Sequence, residues 1–315
     1  MKSSTFTLLL ALTAGLAAAS SIRGQEPGAF RTAAIDLDLD LDYEREWLDG
    51  RARLTVENWA DRQTAGVSLM VGRLMRVEAV TDERGNPLPF EQEVTVFEGW
   101  TLRQVNAVRV ALPEPVAPGD SVRLTVRYAG HLVGATETGM RYVRDHLDPA
   151  FTVLRAEAFA FPEVGVPSLA ALRSHPRRPF RFSARVTVPD TLVVGTGGEV
   201  VERRVAAGRA TYEIRGRAPV PFLNLTVAPY HVHEQGGVRA YLLPGDPARA
   251  TVLLQTVNQG LNWLEARYGP LPRPPEFSLM EVPPGYGAQA HLDAGIMLEG
   301  STLDTKRDRA HLYHE

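Results

Sequence analysis

From residue 33 to about residue 235 apolar and polar side chains alternate with a period of two. That pattern restricts this part of the chain to strands with one face buried. Ile35, Leu37, Leu39 and Leu41 alternate with Asp36, Asp38, Asp40 and Asp42, which puts the apolar residues on one face of a strand and the carboxylates on the other. Further strands are expected at 52–57, 67–71, 107–111 and 121–128, and a second set at 180–188, 192–194, 210–214 and 224–228. Turn chemistry separates them, as at Arg84-Gly85-Asn86-Pro87 and Ala117-Pro118-Gly119-Asp120. Many short strands with polar turns predict an antiparallel β-sandwich over residues 26–235. Carboxylates along one strand face sit roughly 7 Å apart and cannot converge on one cation unaided. The four-Asp face is therefore expected to be the solvated side of an edge strand, where charge also blocks sheet-to-sheet aggregation.

Near residue 236 the period changes. A strand is expected from Val238 to Leu243, then Asp246-Pro247 as an N-cap and first-turn pair. Leu254, Val257, Leu261, Leu264 and Tyr268 follow at steps of three and four, and Gly269-Pro270 closes the helix. This stripe is read as core packing. A strand at Phe277–Val282, a Gly/Pro-rich loop at 283–287, an apolar segment at 294–298 and a helix starting near Thr302 complete an α/β unit over residues 236–315. The fold class expected is therefore mixed, with an N-terminal β-sandwich followed by the start of an α/β domain.

The ends and the charge balance bear on function. Residues 1–25 resemble a secretory signal: Lys2 is the positive start, residues 6–16 are almost wholly apolar, and Ala17-Ala18-Ala19 offers small residues for cleavage before Gln25. The apolar run is shorter than the roughly 20 residues that span a bilayer, and no later segment has 18 uninterrupted apolar residues. The expectation is a bacterial protein exported to the periplasm, cell envelope or medium, with no membrane span in its mature part. The 34 basic and 37 acidic side chains give a net charge of −3, and the arginines are scattered, so a nucleic-acid partner is not expected. There is no cysteine, which excludes thiol catalysis, disulfides and thiolate zinc sites. No Gly-x-Ser-x-Gly elbow and no phosphate-binding Gly-Lys loop is present.

The last residues read His311-Leu312-Tyr313-His314-Glu315. A His-Glu-x-x-His helix places two imidazoles on one face to hold zinc, with the Glu as general base for the metal-bound water. This chain contains the first two letters of that motif. His233-Glu234 has the same dipeptide, but Gly237 stands where the second His would fall. Read alone, the terminal pair is a solvated helical turn and not a metal motif.

The order of segments adds weight. A β-sandwich, a strand, a long helix, Tyr268-Gly269-Pro270-Leu271-Pro272, the strand 277–282, a Gly-rich loop and a His-Glu helix together resemble the aminopeptidase N type of zinc metallopeptidases. Gly287-Ala288-Gln289-Ala290-His291 resembles that family's Gly-x-Met-Glu-Asn loop. The segment 154–162, ending in Phe161-Pro162, resembles the aromatic-Pro stretch that ends the family's first sheet.

The resemblance implies an incomplete thermolysin-like catalytic domain at 236–315, with His314 as a zinc ligand and Glu315 as the catalytic residue. It also implies substrate-binding positions at Gly287, Ala288, Gln289 and His291. The parent protein would use zinc to hydrolyse peptides; no zinc is expected on this chain alone, since one imidazole does not make a three-ligand site. Ala290 stands where typical members carry the Glu that holds a free α-amine, so exopeptidase specificity does not carry over. Gln289 and His291 are open to either ligand contact or loop hydrogen bonding. The alternative from another class is a non-catalytic exported β-sandwich binding module.

Overall fold

The computed structural model of the chain describes residues 28–174, 178–270, 277–291 and 293–300. The signal-like segment and the expected C-terminal helix with His314 and Glu315 lie outside the described residues.

A seven-stranded sheet forms the largest layer. Its members, numbered in chain order, are β1 (Phe30–Asp42), β2 (Trp47–Asn58), β4 (Met75–Asp82), β7 (Ser121–Gly130), β10 (Arg181–Pro189), β12 (Glu199–Ala206) and β13 (Arg209–Arg215). They lie in the order β12-β13-β10-β1-β2-β7-β4. Two smaller sheets cover its apolar face. One is β5-β6-β3-β9, built from β3 (Thr64–Gly72), β5 (Phe90–Phe97), β6 (Trp100–Val116) and β9 (Glu163–Val164); the other is β11-β14-β8, built from β8 (Thr152–Arg155), β11 (Val193–Thr196) and β14 (Asn224–Ala228). Residues of all three sheets share one core, including Leu39, Leu54, Val67, Val108, Leu154 and Val227.

The alternation on β1 is realised as read: Ile35, Leu37, Leu39 and Leu41 are all buried, each contributing about 1.5–3 kcal/mol relative to exposure. The strand's position differs from expectation. β1 is not an edge; it lies between β2 and β10, pairing antiparallel with the first and parallel with the second. The sandwich is thus not wholly antiparallel. The Asp row survives mid-sheet because neighbouring strands supply partners. Asp38 pairs with Arg51 at 2.7 Å, Asp40 with Arg209, and Asp36 accepts from Ser183.

β4, β5, β8, β9, β12 and β15 (His231–Gln235) escaped the period-two reading. Of these, β5 and β12 are largely exposed, with Phe97 the one buried residue of the first and no buried residue in the second. Strands without a buried face carry little alternation to detect.

A separate five-stranded sheet runs β15-β16-β17-β19-β18, formed by β15 (His231–Gln235), β16 (Val238–Leu242), β17 (Phe277–Val282), β18 (Gln289–His291) and β19 (Gly295–Glu299). It begins at His231, ahead of the change of period at 236. The long helix Ala248–Tyr268 packs on one face, where Val238, Ala240, Leu242, Leu253, Leu254, Val257, Leu279 and Leu298 share a core. The other face meets the three-stranded sheet through Phe151, Val153, Tyr230, Tyr241, Met280, Val282 and Met297. Covered on both sides, β17 is buried at every residue, as expected of a strand flanked by parallel neighbours.

The helical stripe read from the sequence is only half used. Leu254 and Val257 are buried, whereas Leu264 and Tyr268 are 45% and 77% exposed. Leu254→Ala should therefore cost about 2–3 kcal/mol in urea denaturation. Leu264→Ala, lacking packed neighbours to lose, should stay within about 0.5 kcal/mol of the parent.

Candidate functional site

The Gly/Pro-rich loop after β17 lies where the five-stranded sheet meets the sandwich. Two carboxylates stand on adjacent parallel strands beside it, Glu281 on β17 and Glu299 on β19. Glu281, 6% exposed, forms an ion pair with Arg249 at 2.8 Å and accepts the Leu243 N–H at 2.9 Å, while Arg249 also donates to the Gly300 carbonyl. Glu299 reaches into the loop, and its Oε1 accepts the N–H groups of both Gly285 and Gly287, at 2.9 and 3.0 Å. Both glycines have positive φ, 90° and 75°, which lets consecutive turns curl around one oxygen.

Glu299→Ala should remove two charge-assisted bonds and cost about 1.5–3 kcal/mol. Faster amide exchange at Gly285 and Gly287, read by hydrogen–deuterium exchange, would locate the loss in the loop. Unchanged protection there would show that Glu299 is not its anchor.

From the sandwich side, Arg155 and Asp145 form a buried ion pair at 3.1 Å, with side chains 2% and 0% exposed. Arg155 also donates to the Tyr286 carbonyl at 3.4 Å and lies under the Tyr142 ring. Burial pushes the Asp145 carboxyl up to about 7, against the pull of Arg155. Tyr286 packs edge-on against Phe151 at 4.8 Å, and burial raises its phenol above the ordinary value. Tyr142 donates to Glu157, within the segment 154–162, at 3.5 Å.

The residues predicted from the sequence fall around this junction. Gly287 is tied to Glu299, and Ala288 is exposed. Gln289 accepts from the buried Asn224 of β14 at 2.6 Å. His291 stands edge-on to Phe222, ring centroids 5.6 Å apart, with a buried Nδ1 that has no hydrogen-bond partner among the described residues. Gly287, Gln289 and His291 thus sit in one loop and one short strand, while His314 and Glu315 are outside the described residues. Arg155, Asp145, Glu281 and Glu299 were missed; only their packing singles them out from other charged residues.

β18 is the edge of its sheet. An edge strand is the position at which a sheet can add an extended peptide.

Among the described residues no three His, Asp or Glu side chains come together as a metal site. Of the donor set implied by the resemblance this chain contains His314, one ligand of three, and it does not by itself fit a catalytic zinc.

No protein-family model and no curated protein matches the chain. Its fold matches that of M1 zinc metallopeptidases. An M1 zinc metallopeptidase variant from Deinococcus radiodurans with a bound Tyr-Ser-Ala substrate is 23% identical, with a TM-score of 0.66 over 91% of this chain and 64% of that one. A two-domain M1 zinc metallopeptidase variant with bound L-tryptophan is 23% identical, with a TM-score of 0.67 over 92% and 64%. The Deinococcus radiodurans enzyme itself gives 22% identity and a TM-score of 0.63 over 90% and 63%. The chain spans just under two thirds of the length of these structures.

Proposed function

We propose that this chain is the N-terminal part of an exported zinc metallopeptidase. The observation that carries the reading is the fold match, which extends over nine tenths of the chain and runs through both the sandwich and the sheet that follows it. In this reading residues 1–25 direct export across a bacterial membrane and residues 236–315 begin a thermolysin-like catalytic domain. The loop 283–291 and the edge of β18 receive the main chain of a peptide, held at the junction by Glu299 and Arg155.

Zinc bound in the parent would supply an activated water; within this chain, His314 is the residue that would contribute to holding it. With Ala290 at the amine-binding position, free α-amines are not selected as strongly as in a typical aminopeptidase. Among the described residues no helix is long and apolar enough to cross a membrane, in keeping with a catalytic part that works outside the bilayer.

The test is to express the reading frame that contains this chain together with whatever follows codon 315. Chelator-sensitive peptide hydrolysis is expected, reduced at least a thousandfold by His314→Ala and by Glu315→Gln. Residues 1–315 alone should hydrolyse no peptide. Absence of hydrolysis in the extended protein, or activity indifferent to both substitutions, would overturn the reading.

A further inference from the structure

We propose that His231 and His233 form a surface chelate for a borderline transition-metal ion, copper(II) above zinc(II), separate from the peptidase site. The two residues occupy alternate positions on β15, so their side chains share one face. The ladder settles which face. His231 lies opposite Leu242 and His233 opposite Ala240, and Leu242 and Ala240 belong to the core under the long helix. Directly opposed residues on paired strands share a face, so both imidazoles stand on the helix side of the sheet, at its outer edge.

There they line a single cavity of about 90 Å³ together with Asp246, Pro247, Arg249 and Ala250 at the start of the long helix. Neither imidazole has a side-chain partner among the described residues. The reach of the side chain decides what the pair can bind. Cβ atoms two apart on one strand face are roughly 7 Å from each other. The short carboxylates of the Asp row on β1 cannot close that span, whereas two imidazole rings leaning together can place a nitrogen each about 2 Å from a common ion.

Asp246 is the carboxylate that lines the same cavity. Its Oδ1 accepts the Ala248 N–H at 2.9 Å, and the carboxylate offsets the partial positive charge of the helix N-terminus that a cation would otherwise meet. No third His, Asp or Glu already converges with the pair among the described residues, so the remaining coordination positions go to water or to a reoriented Asp246. An open two-imidazole chelate binds an exchangeable ion, not a structural one. Imidazole donors favour copper(II) over zinc(II) and zinc(II) over manganese(II), and hard ions such as magnesium or calcium find no oxygen cage here.

The experiment is a titration of the 315-residue chain with copper(II), followed by calorimetry and by electron paramagnetic resonance. One saturable copper per chain is expected, with hyperfine structure from two nitrogens. His231→Ala and His233→Ala should each weaken binding at least tenfold, and His291→Ala should leave it unchanged. Both positions are at the surface, so unaltered circular dichroism is expected in every variant. The His311→Ala/His314→Ala double variant separates this site from the terminal histidines, since loss of copper there with retention in His231→Ala would overturn the proposal. Absence of saturable binding, or binding indifferent to both β15 substitutions, would do so as well. The peptidase reading is untouched by either result, because it is measured by hydrolysis in the extended protein.

Discussion

Arg155→Met is expected to destabilise the chain by about 3–5 kcal/mol, read as a lowered midpoint in urea or thermal unfolding. The guanidinium is the charge partner of Asp145, and both side chains are buried. Removing one member of such a pair leaves an uncompensated charge in a poorly solvated place, which costs far more than the pair itself contributes. The same substitution releases the Tyr286 carbonyl, so the loop 283–287 should lose amide protection along with the sandwich.

Replacing both partners by apolar residues, as in Arg155→Met with Asp145→Leu, should recover most of the stability. The charge requirement has then gone while the volume is kept. No recovery in the double variant would mean that the pair holds the junction by a route other than charge balance.

The pH dependence has a definite sign. The folded Asp145 carboxyl lies near 7, above the roughly 3.9 of an unfolded aspartate. Stability linked to its proton is fully present below about 4 and is lost as pH rises through about 7. Without Arg155 the folded carboxyl moves higher still, so the Arg155→Met deficit should be smaller at pH 5 than at pH 8. A deficit that does not vary with pH would exclude Asp145 as its source.

Gly197→Val should cost about 3 kcal/mol or open the junction outright. A Cβ at Gly197 would lie 2.2 Å from the backbone carbon of Ala294 and the nitrogen of Gly295. Those atoms belong to the turn between β18 and β19, and main chain yields less readily than a side-chain end. The expected signature is faster exchange at β18 and β19, with the seven-stranded sheet unaffected. Gly119→Ala is the control for a general loss of glycine: its Cβ meets nothing within 4 Å, though its φ of 83° adds modest local strain. Equal losses from the two substitutions would rule out the close approach of sandwich and hairpin as the cause.

What the sequence disclosed follows from the range of each interaction. The inward row of β1, the strand at 277–282 and the long helix depend on facing, which is set by residues two to four apart. They were therefore readable. The central place of β1 depends on β10, and nothing within the strand distinguishes an edge from a middle position when the outward row is charged. The Asp row suggested an edge because arginines from other strands could not be foreseen.

The candidate site shows the same division. Gly287, Gln289 and His291 stood out through their resemblance to the family's Gly-x-Met-Glu-Asn loop, a pattern of neighbouring residues. Arg155 and Asp145 look like any exposed pair in the sequence, and only burial between two sheets makes them structural.

The parallel pairing of β1 with β10 also has a consequence in time. Ala34 faces Arg181 across that ladder, so the middle of the largest sheet is closed by segments far apart in the chain. Bringing such segments together carries a loop-closure cost, and high contact order slows folding. A chain emerging from its N-terminus can form the β1–β2 hairpin early. It cannot seat β1 on both sides until β10 has followed. The nascent sandwich therefore keeps an open, strand-ready flank through more than half of its synthesis, and the row of aspartates along β1 repels unwanted partners during that interval.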